Sequence, residues 1–299
     1  MPSKKAPATR HPAMKPSLPN ALAAASIKPR APIGISLHVG LNKVNPTHYN
    51  GWDGSLNACE ADAHDMQAIA KAAGFTTTQR LTTAAKAATI IKDIQAAAAK
   101  LRSGDIFLLT YSGHGGQMPD TNGDEPDHQD ETWVLYDRQL VDDEIYALFG
   151  TFAQGVRIFV LSDSCHSGTV TRAMPKTRAT GPKPRLMPPA IAAQTYAKHR
   201  GFYDKVQAAQ PTRIDSIKAT LASVILISGC QDNQTSLDGA KNGLFTSKLL
   251  AAWKGGQFTG NYQQFRNQIA ASMPASQTPN YFVAGASNAA FAAQKPFTV

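Results

Sequence analysis

No stretch of this 299-residue chain approaches the roughly 20 consecutive apolar residues that a membrane-spanning helix needs. The N-terminus also lacks the apolar core, roughly 7 to 15 residues long, of a secretory signal, so a cytoplasmic location with no membrane partner is expected. Cysteine is scarce: Cys59, Cys165 and Cys230 are odd in number and far apart. That spacing supplies neither a disulfide framework nor a Cys-x-x-Cys metal knuckle, and it suits a reducing compartment. Acidic charge is in short supply, with 21 Asp and Glu against 30 Lys and Arg and a formal net charge of +9. The imbalance is local, because residues 1–32 carry six basic and no acidic groups and residues 171–205 carry eight basic and one acidic. What remains is mildly acidic, and no basic strand interleaved with aromatics offers a nucleic-acid groove, so nucleic acid is not expected as a partner.

With 42% hydrophobic residues, the chain is long enough to bury a substantial core within one α/β domain. Residues 1–32, rich in Pro, Ala, Lys and Ser, read as a disordered basic extension. From Ile33 the pattern predicts a strand over 33–40 and then a helix near 58–73, its inner face marked by Met66, Ile69, Ala70 and Ala73. A short strand near 75–80 should follow, then a helix near 83–102 with Thr82 as N-cap and Ile90, Ile91, Ile94 and Leu101 facing inward. The runs DIFLLTY (105–111), VRIFVLS (156–162) and SVILIS (223–228) lack period-two alternation, as central parallel strands covered on both faces require. Residues 171–213 read as a basic, Pro-rich linker between a larger segment, 33–170, and a smaller one, 214–299. The smaller segment should carry helices near 243–253 and 261–272 and a last strand over 280–285. Such alternation implies a mostly parallel sheet between helix layers, with ligands at the carboxyl ends of the strands.

Two of those strand ends carry YSGHGG (111–116) and SDSCHSG (162–168), which brings His114 and Cys165 to one sheet edge. A cysteine thiol with a pKa of about 8.5 is only a few per cent thiolate at neutral pH, so a cysteine nucleophile gains from an imidazole that takes its proton. The glycines beside His114 let backbone approach a substrate, and the amides of Gly115 and Cys165 are candidate oxyanion donors. His166 and His64 are the rival bases. Asp163 precedes Cys165 by two residues, so an extended chain turns both side chains the same way.

The His and Cys motifs, 51 residues apart, resemble the catalytic pair of metacaspases and of bacterial metacaspase-like peptidases (orthocaspases) within the caspase-like class. ISGCQDNQTS (227–236) and GLFTSKLL (243–250) resemble the small-subunit part of the same family. The resemblance implies a caspase-like three-layer α/β/α sandwich with a mostly parallel central sheet of about six strands. It further implies a monomeric cysteine endopeptidase working through an acyl-enzyme, with His114 as general base and Cys165 as nucleophile. Asp62 and Asp163 match specificity aspartates, and Cys59 and Ser112 match pocket-lining positions. An acidic pocket favours protein or peptide substrates with Arg or Lys at the cleavage site, since a partly buried anion gains most from a cation. The basic linker, with Arg172, Lys176, Arg178, Lys183 and Arg185, is then the nearest substrate, and self-processing there is expected.

The chemistry requires no cofactor. The segment 120–145, however, holds ten Asp or Glu and one Arg. Its spacing is not that of an EF-hand. Relatives use aspartates of this region for an activating calcium ion, and the nearest matches are Asp130, Asp142 and Asp143, whereas Arg172 stands where many relatives have a further aspartate. The alternative to an active peptidase is a catalytically silent caspase-like module that binds basic peptides or partner proteins.

Overall fold

The computed structural model of the protein describes residue 1 and residues 30–165, 182–231, 234 and 236–299. Most of the expected N-terminal extension, His166, Arg172, Lys176 and Arg178 lie outside these residues. Strand β1 (Gly34–Gly40) leads through α1 (Cys59–Ala72), β2 (Thr76–Leu81) and α2 (Ala87–Lys100) to β3 (Ile106–Ser112). Three short strands follow, β4 (Gly115–Pro119), β5 (Gln129–Val134) and β6 (Gln139–Val141), then α3 (Asp142–Phe149) and β7 (Arg157–Asp163). The chain continues as α4 (Pro189–Ala208), α5 (Arg213–Ala219), β8 (Ser223–Ser228), α6 (Leu244–Trp253), α7 (Tyr262–Ala270), β9 (Asn280–Gly285) and α8 (Ala289–Ala293).

The main sheet has six strands in the order β2-β1-β3-β7-β8-β9. Every pairing is parallel except β8 with β9. The unalternated apolar runs occupy its centre, as their composition requires, and successive side chains enter different cores. Phe107, Leu109, Ile158, Val160 and Val224 pack with Ile90 and Ile94 of α2 and Ile145 and Phe149 of α3. Ile106, Leu108, Phe159, Leu161, Ile225 and Ile227 pack with Met66 of α1, Phe245 and Leu249 of α6, and Tyr262 and Phe265 of α7. The result is the expected caspase-like α/β/α sandwich. Phe159, wholly buried, meets Tyr262 and Phe297 edge-on at centroid distances of 4.7 and 5.5 Å. Phe159→Ala should therefore cost about 3–5 kcal/mol of stability, measured by denaturant unfolding.

Helix α2 starts later than its apolar pattern suggests. Thr82, instead of capping it, sits in a short 3-10 turn with φ of 35°, and its hydroxyl oxygen accepts from the Asn42 amide. The antiparallel sheet β4-β5-β6 was not legible in its polar, turn-rich sequence. Within the stretch read as linker, α4 buries Ala192, Thr195, Tyr203 and Gln207. Tyr203 joins Met118 and Val141 in a small core against that second sheet. The intervening Lys, Arg and Gly residues obscure this apolar stripe in the sequence.

The first core crossover passes from β1 to β2 on one side, and the chain then returns to lay β3 on the other side of β1. The carboxyl ends at this change of direction are where an open α/β sheet places a ligand. Gly40, Ser112 and Asp163 end neighbouring strands in register there.

Candidate active site

The amino end of α1 is tied to that sheet edge by side chains that satisfy its orphan amides. Asn42 Oδ1 accepts from Cys59 and Glu60 N–H at 2.9 and 3.2 Å. The Asp238 carboxylate accepts from Asn57 and Ala58 N–H at 2.7 and 3.3 Å. Asp62, in the first turn, is consequently held facing inward and is buried.

Asp62 and Asp163 converge, together with Asp238, on the guanidinium of Arg185, whose side chain is 0% exposed. Arg185 Nη2 reaches Asp62 at 2.7 Å and Asp238 at 3.1 Å, while Nη1 reaches Asp163 at 2.9 Å and donates to the Ser112 hydroxyl at 2.8 Å. Each carboxylate is braced in turn. Asp62 Oδ1 accepts from Gly243 N–H and Asn242 Nδ2, both at 3.0 Å. Asp163 accepts from the hydroxyls of Ser236 at 2.5 Å and Thr246 at 2.8 Å. Gly243 closes the pocket wall, since a Cβ there would lie 2.5 Å from the guanidinium. Burial raises the Asp62 pKa, an effect that Arg185 opposes. Cys59 is a wall of the same pocket whose thiol burial pushes up to about 12, so it stays neutral. The void behind Asp62 and Asp163 holds only about 10 Å³, at the lower limit of what one water occupies.

The backbone around Arg185 is extended and paired on both sides. Lys183 C=O accepts from Asp238 N–H at 2.8 Å, and Arg185 N–H donates to Ser236 C=O at 2.9 Å. Leu186 bridges Gly115 in parallel register, and Met187 N–H donates to Gly115 C=O at 2.8 Å. Between them, the Arg185 carbonyl oxygen accepts from Gly115 N–H at 3.0 Å and from Cys165 N–H at 3.2 Å. Those are the two amides read from the sequence as oxyanion donors. Position 115 must be glycine, because a Cβ would fall 1.8 Å from the Cys165 carbonyl oxygen.

His114 is buried beside Trp52, with ring centroids 4.8 Å apart. Its Nε2 is 2.9 Å from the Gly54 carbonyl, which fixes the proton on Nε2 and leaves Nδ1, buried and without a partner, as the basic nitrogen. Burial lowers its pKa to about 4, so the ring is neutral at physiological pH. The Cys165 sulfur accepts from Ser236 N–H at 2.6 Å. His64, by contrast, is exposed on α1 beside Gln79.

A second acidic site lies on β5 and the loop before it. Asp130 comes together with Asp120 and Asp124, within the span that one metal ion bridges. Asp143 lies alongside and accepts from Asn122 Nδ2 at 2.7 Å, whereas Asp142 neighbours Arg213 at 3.9 Å. Both Asp130 oxygens and one each of Asp124 and Asp143 are buried without a hydrogen-bond partner. Burial first, then neighbouring carboxylates, raises Asp130 to about 8 and Asp143 to about 6. This donor set suits a hard divalent cation.

Asp238, Ser236, Asn242, Gly243 and Thr246 were not singled out from sequence. Gly243 and Thr246 lie in the GLFTSKLL motif, whereas Asp238 carries no local signal.

The family model for the caspase domain of C14 peptidases matches residues 44–291. Metacaspase-1 of Saccharomyces cerevisiae strain S288c is 29% identical over 257 residues, which cover 73% of this chain and 57% of the yeast protein. Metacaspase-1 of Schizosaccharomyces pombe is 34% identical over 180 residues, covering 50% of this chain and 41% of that protein. The chain thus spans between about two fifths and three fifths of the length of these relatives. A solved structure of a Geobacter sulfurreducens protein superposes with a TM-score of 0.82 at 54% identity, covering 90% of this chain and 99% of that one. Caspase-1 from Spodoptera frugiperda, at 10% identity, shares the fold with a TM-score of 0.50, over 85% of this chain and 86% of that one. The chain belongs to the caspase-domain family of cysteine peptidases and is metacaspase-like.

Proposed function

We propose that the chain is a cysteine endopeptidase that cleaves after arginine, and that the segment Lys183–Met187 is its own first substrate, with Arg185–Leu186 as the scissile bond. The observation that carries this reading is the Arg185 carbonyl held by two backbone amides while its guanidinium is gripped by three carboxylates. Cys165 Sγ attacks that carbonyl carbon as His114 Nδ1 takes the thiol proton, and the Gly115 and Cys165 amides stabilise the oxyanion. Collapse of the tetrahedral species breaks the C–N bond, and His114 returns the proton to the leaving amine of Leu186. Water then releases the Arg185 carboxylate from the thioester, with His114 again as base. Arginine is favoured over lysine because two guanidinium nitrogens on a planar fork address three separated carboxylates and a hydroxyl, which one ammonium cannot span equally.

Incubated full-length protein should yield two fragments on a denaturing gel, the smaller beginning at Leu186, and should hydrolyse fluorogenic peptides ending in Arg ahead of Lys and far ahead of Asp. An intact chain with no turnover would instead support a silent module that binds basic peptides.

Asp120, Asp124 and Asp130, with Asp143 beside them, would hold a calcium ion that screens their mutual repulsion. The raised carboxyls keep their protons in the fold at pH values where the unfolded chain has lost them. Stability without the ion is therefore fully present below about pH 4 and declines as pH rises through about 6 and 8. Calcium should raise the melting temperature more at pH 8 than at pH 5.5, and Asp130→Asn should abolish that difference, as calorimetry would read.

A further inference from the structure

Strands β7 and β8 run parallel with Ser162 opposite Ser228, and Gly229 N–H donates to Ser162 C=O at 2.8 Å. Continuing past that pair, the two chains place Cys165 and Cys230 against each other just beyond the sheet. The Cys230 sulfur lies 3.3 Å from the carbonyl of Ser164, the residue next to Cys165, and both cysteines are buried in the same cluster. Both are free thiols, and with Leu186 of the linker strand they form one closed apolar cluster. The proposed hydrolysis uses only one of them.

We infer that Cys230 is the resolving thiol of a redox pair with Cys165, and that the pair takes a hydroperoxide as its oxidant. The inference rests on Cys165 being the nucleophile, since a sulfur placed to attack an acyl carbon is also the one that, once ionised, attacks a peroxide oxygen. Cys165 thiolate attacks the terminal peroxide oxygen, the O–O bond breaks, and sulfenic acid forms with hydroxide released from hydrogen peroxide, or an alkoxide from an organic hydroperoxide. The Cys230 sulfur then attacks the sulfenic sulfur, water leaves carrying the Cys230 proton, and an S–S bond joins the two residues. The thiols lose two electrons in all, and the peroxide is reduced by two. Two equivalents of an external thiol reverse the step by exchange.

The neighbouring Cys165 sulfur is the largest cause of a Cys230 pKa well above the ordinary thiol range, with burial second. Disulfide formation keeps the nucleophile from the irreversible sulfinic and sulfonic stages. Leu186 packs in the same buried cluster as both cysteines, so on this reading the pair opens to oxidant once the Arg185–Leu186 bond is cut and the strand leaves the cleft.

The test treats self-processed full-length protein with graded hydrogen peroxide, alkylates it, digests it without reductant and reads the peptides by mass. A peptide linking Cys165 to Cys230 that dithiothreitol removes is expected, with recovery of the protein's untreated activity towards an arginine peptide. Cys230→Ala, compared with its own untreated activity, should recover about tenfold less, with Cys165 found as sulfinic acid. Absence of the linked peptide from wild type, with Cys165 equally over-oxidised in both proteins, would overturn the pairing. Because the link is read by mass, a chain that forms it yet hydrolyses no peptide supports the pair and overturns only the peptidase reading.

Discussion

Cys165→Ala is expected to leave the chain uncut on prolonged incubation and to lower turnover of an arginine peptide on the order of 10⁴- to 10⁶-fold, with His114→Ala losing a similar amount. On the proposed mechanism the two residues act as a unit: without the sulfur there is nothing to acylate, and without the imidazole the thiol keeps its proton. The Arg185 carbonyl nonetheless stays between the Gly115 and Cys165 amides, because both donors are backbone groups that the substitution leaves in place. The uncut variant should therefore retain the linker strand in the cleft, seen as protection of Arg185 and Met187 amides from hydrogen exchange. Residual cleavage at Arg185 by the Cys165→Ala protein would mean that another nucleophile performs the reaction.

Asp163→Asn is the second large effect, a fall in kcat/KM for arginine peptides of about 10²- to 10³-fold. Losing one partner of a buried ion pair costs about 3–5 kcal/mol. Two features set the effect at the lower part of that range. Asp62 and Asp238 still face the guanidinium, and removing one of three carboxylates relieves their mutual repulsion. Asparagine has the shape of aspartate, so the fold is kept while Thr246 and Ser236 each lose a charged acceptor. An unchanged kcat/KM would mean that Asp163 only braces the strand end.

The central sheet was legible because physics leaves few uses for an unalternated apolar run such as SVILIS, and β8 and β9 have the limits expected for them. Helix α4 was obscured by its basic surface, and β4-β5-β6 by strands too short for a clear period. At the site, Asp62, Ser112, Asp163 and Cys59, the residues taken from the family resemblance, lie near one another around Arg185. Asp238 was beyond reach because its role arises from residues 180 positions away, at the start of α1. The acidic segment held too many carboxylates for its sequence to choose among them, and the fold groups Asp130 with Asp120 and Asp124.

The ladder between β7 and β8 has a consequence for what the proposed cleavage would do to the molecule. The Arg185–Leu186 bond lies between these adjacent strands in sequence, so each fragment would contribute one side of the same parallel pairing at the middle of the sheet. Cutting the bond separates the covalent chain without separating the hydrophobic interior, which both pieces continue to share. The nicked protein should behave as a tightly bound heterodimer, eluting at the size of the uncut monomer until denaturant is added. Refolding from denaturant would then depend on protein concentration, so processing turns a unimolecular folding reaction into a bimolecular one.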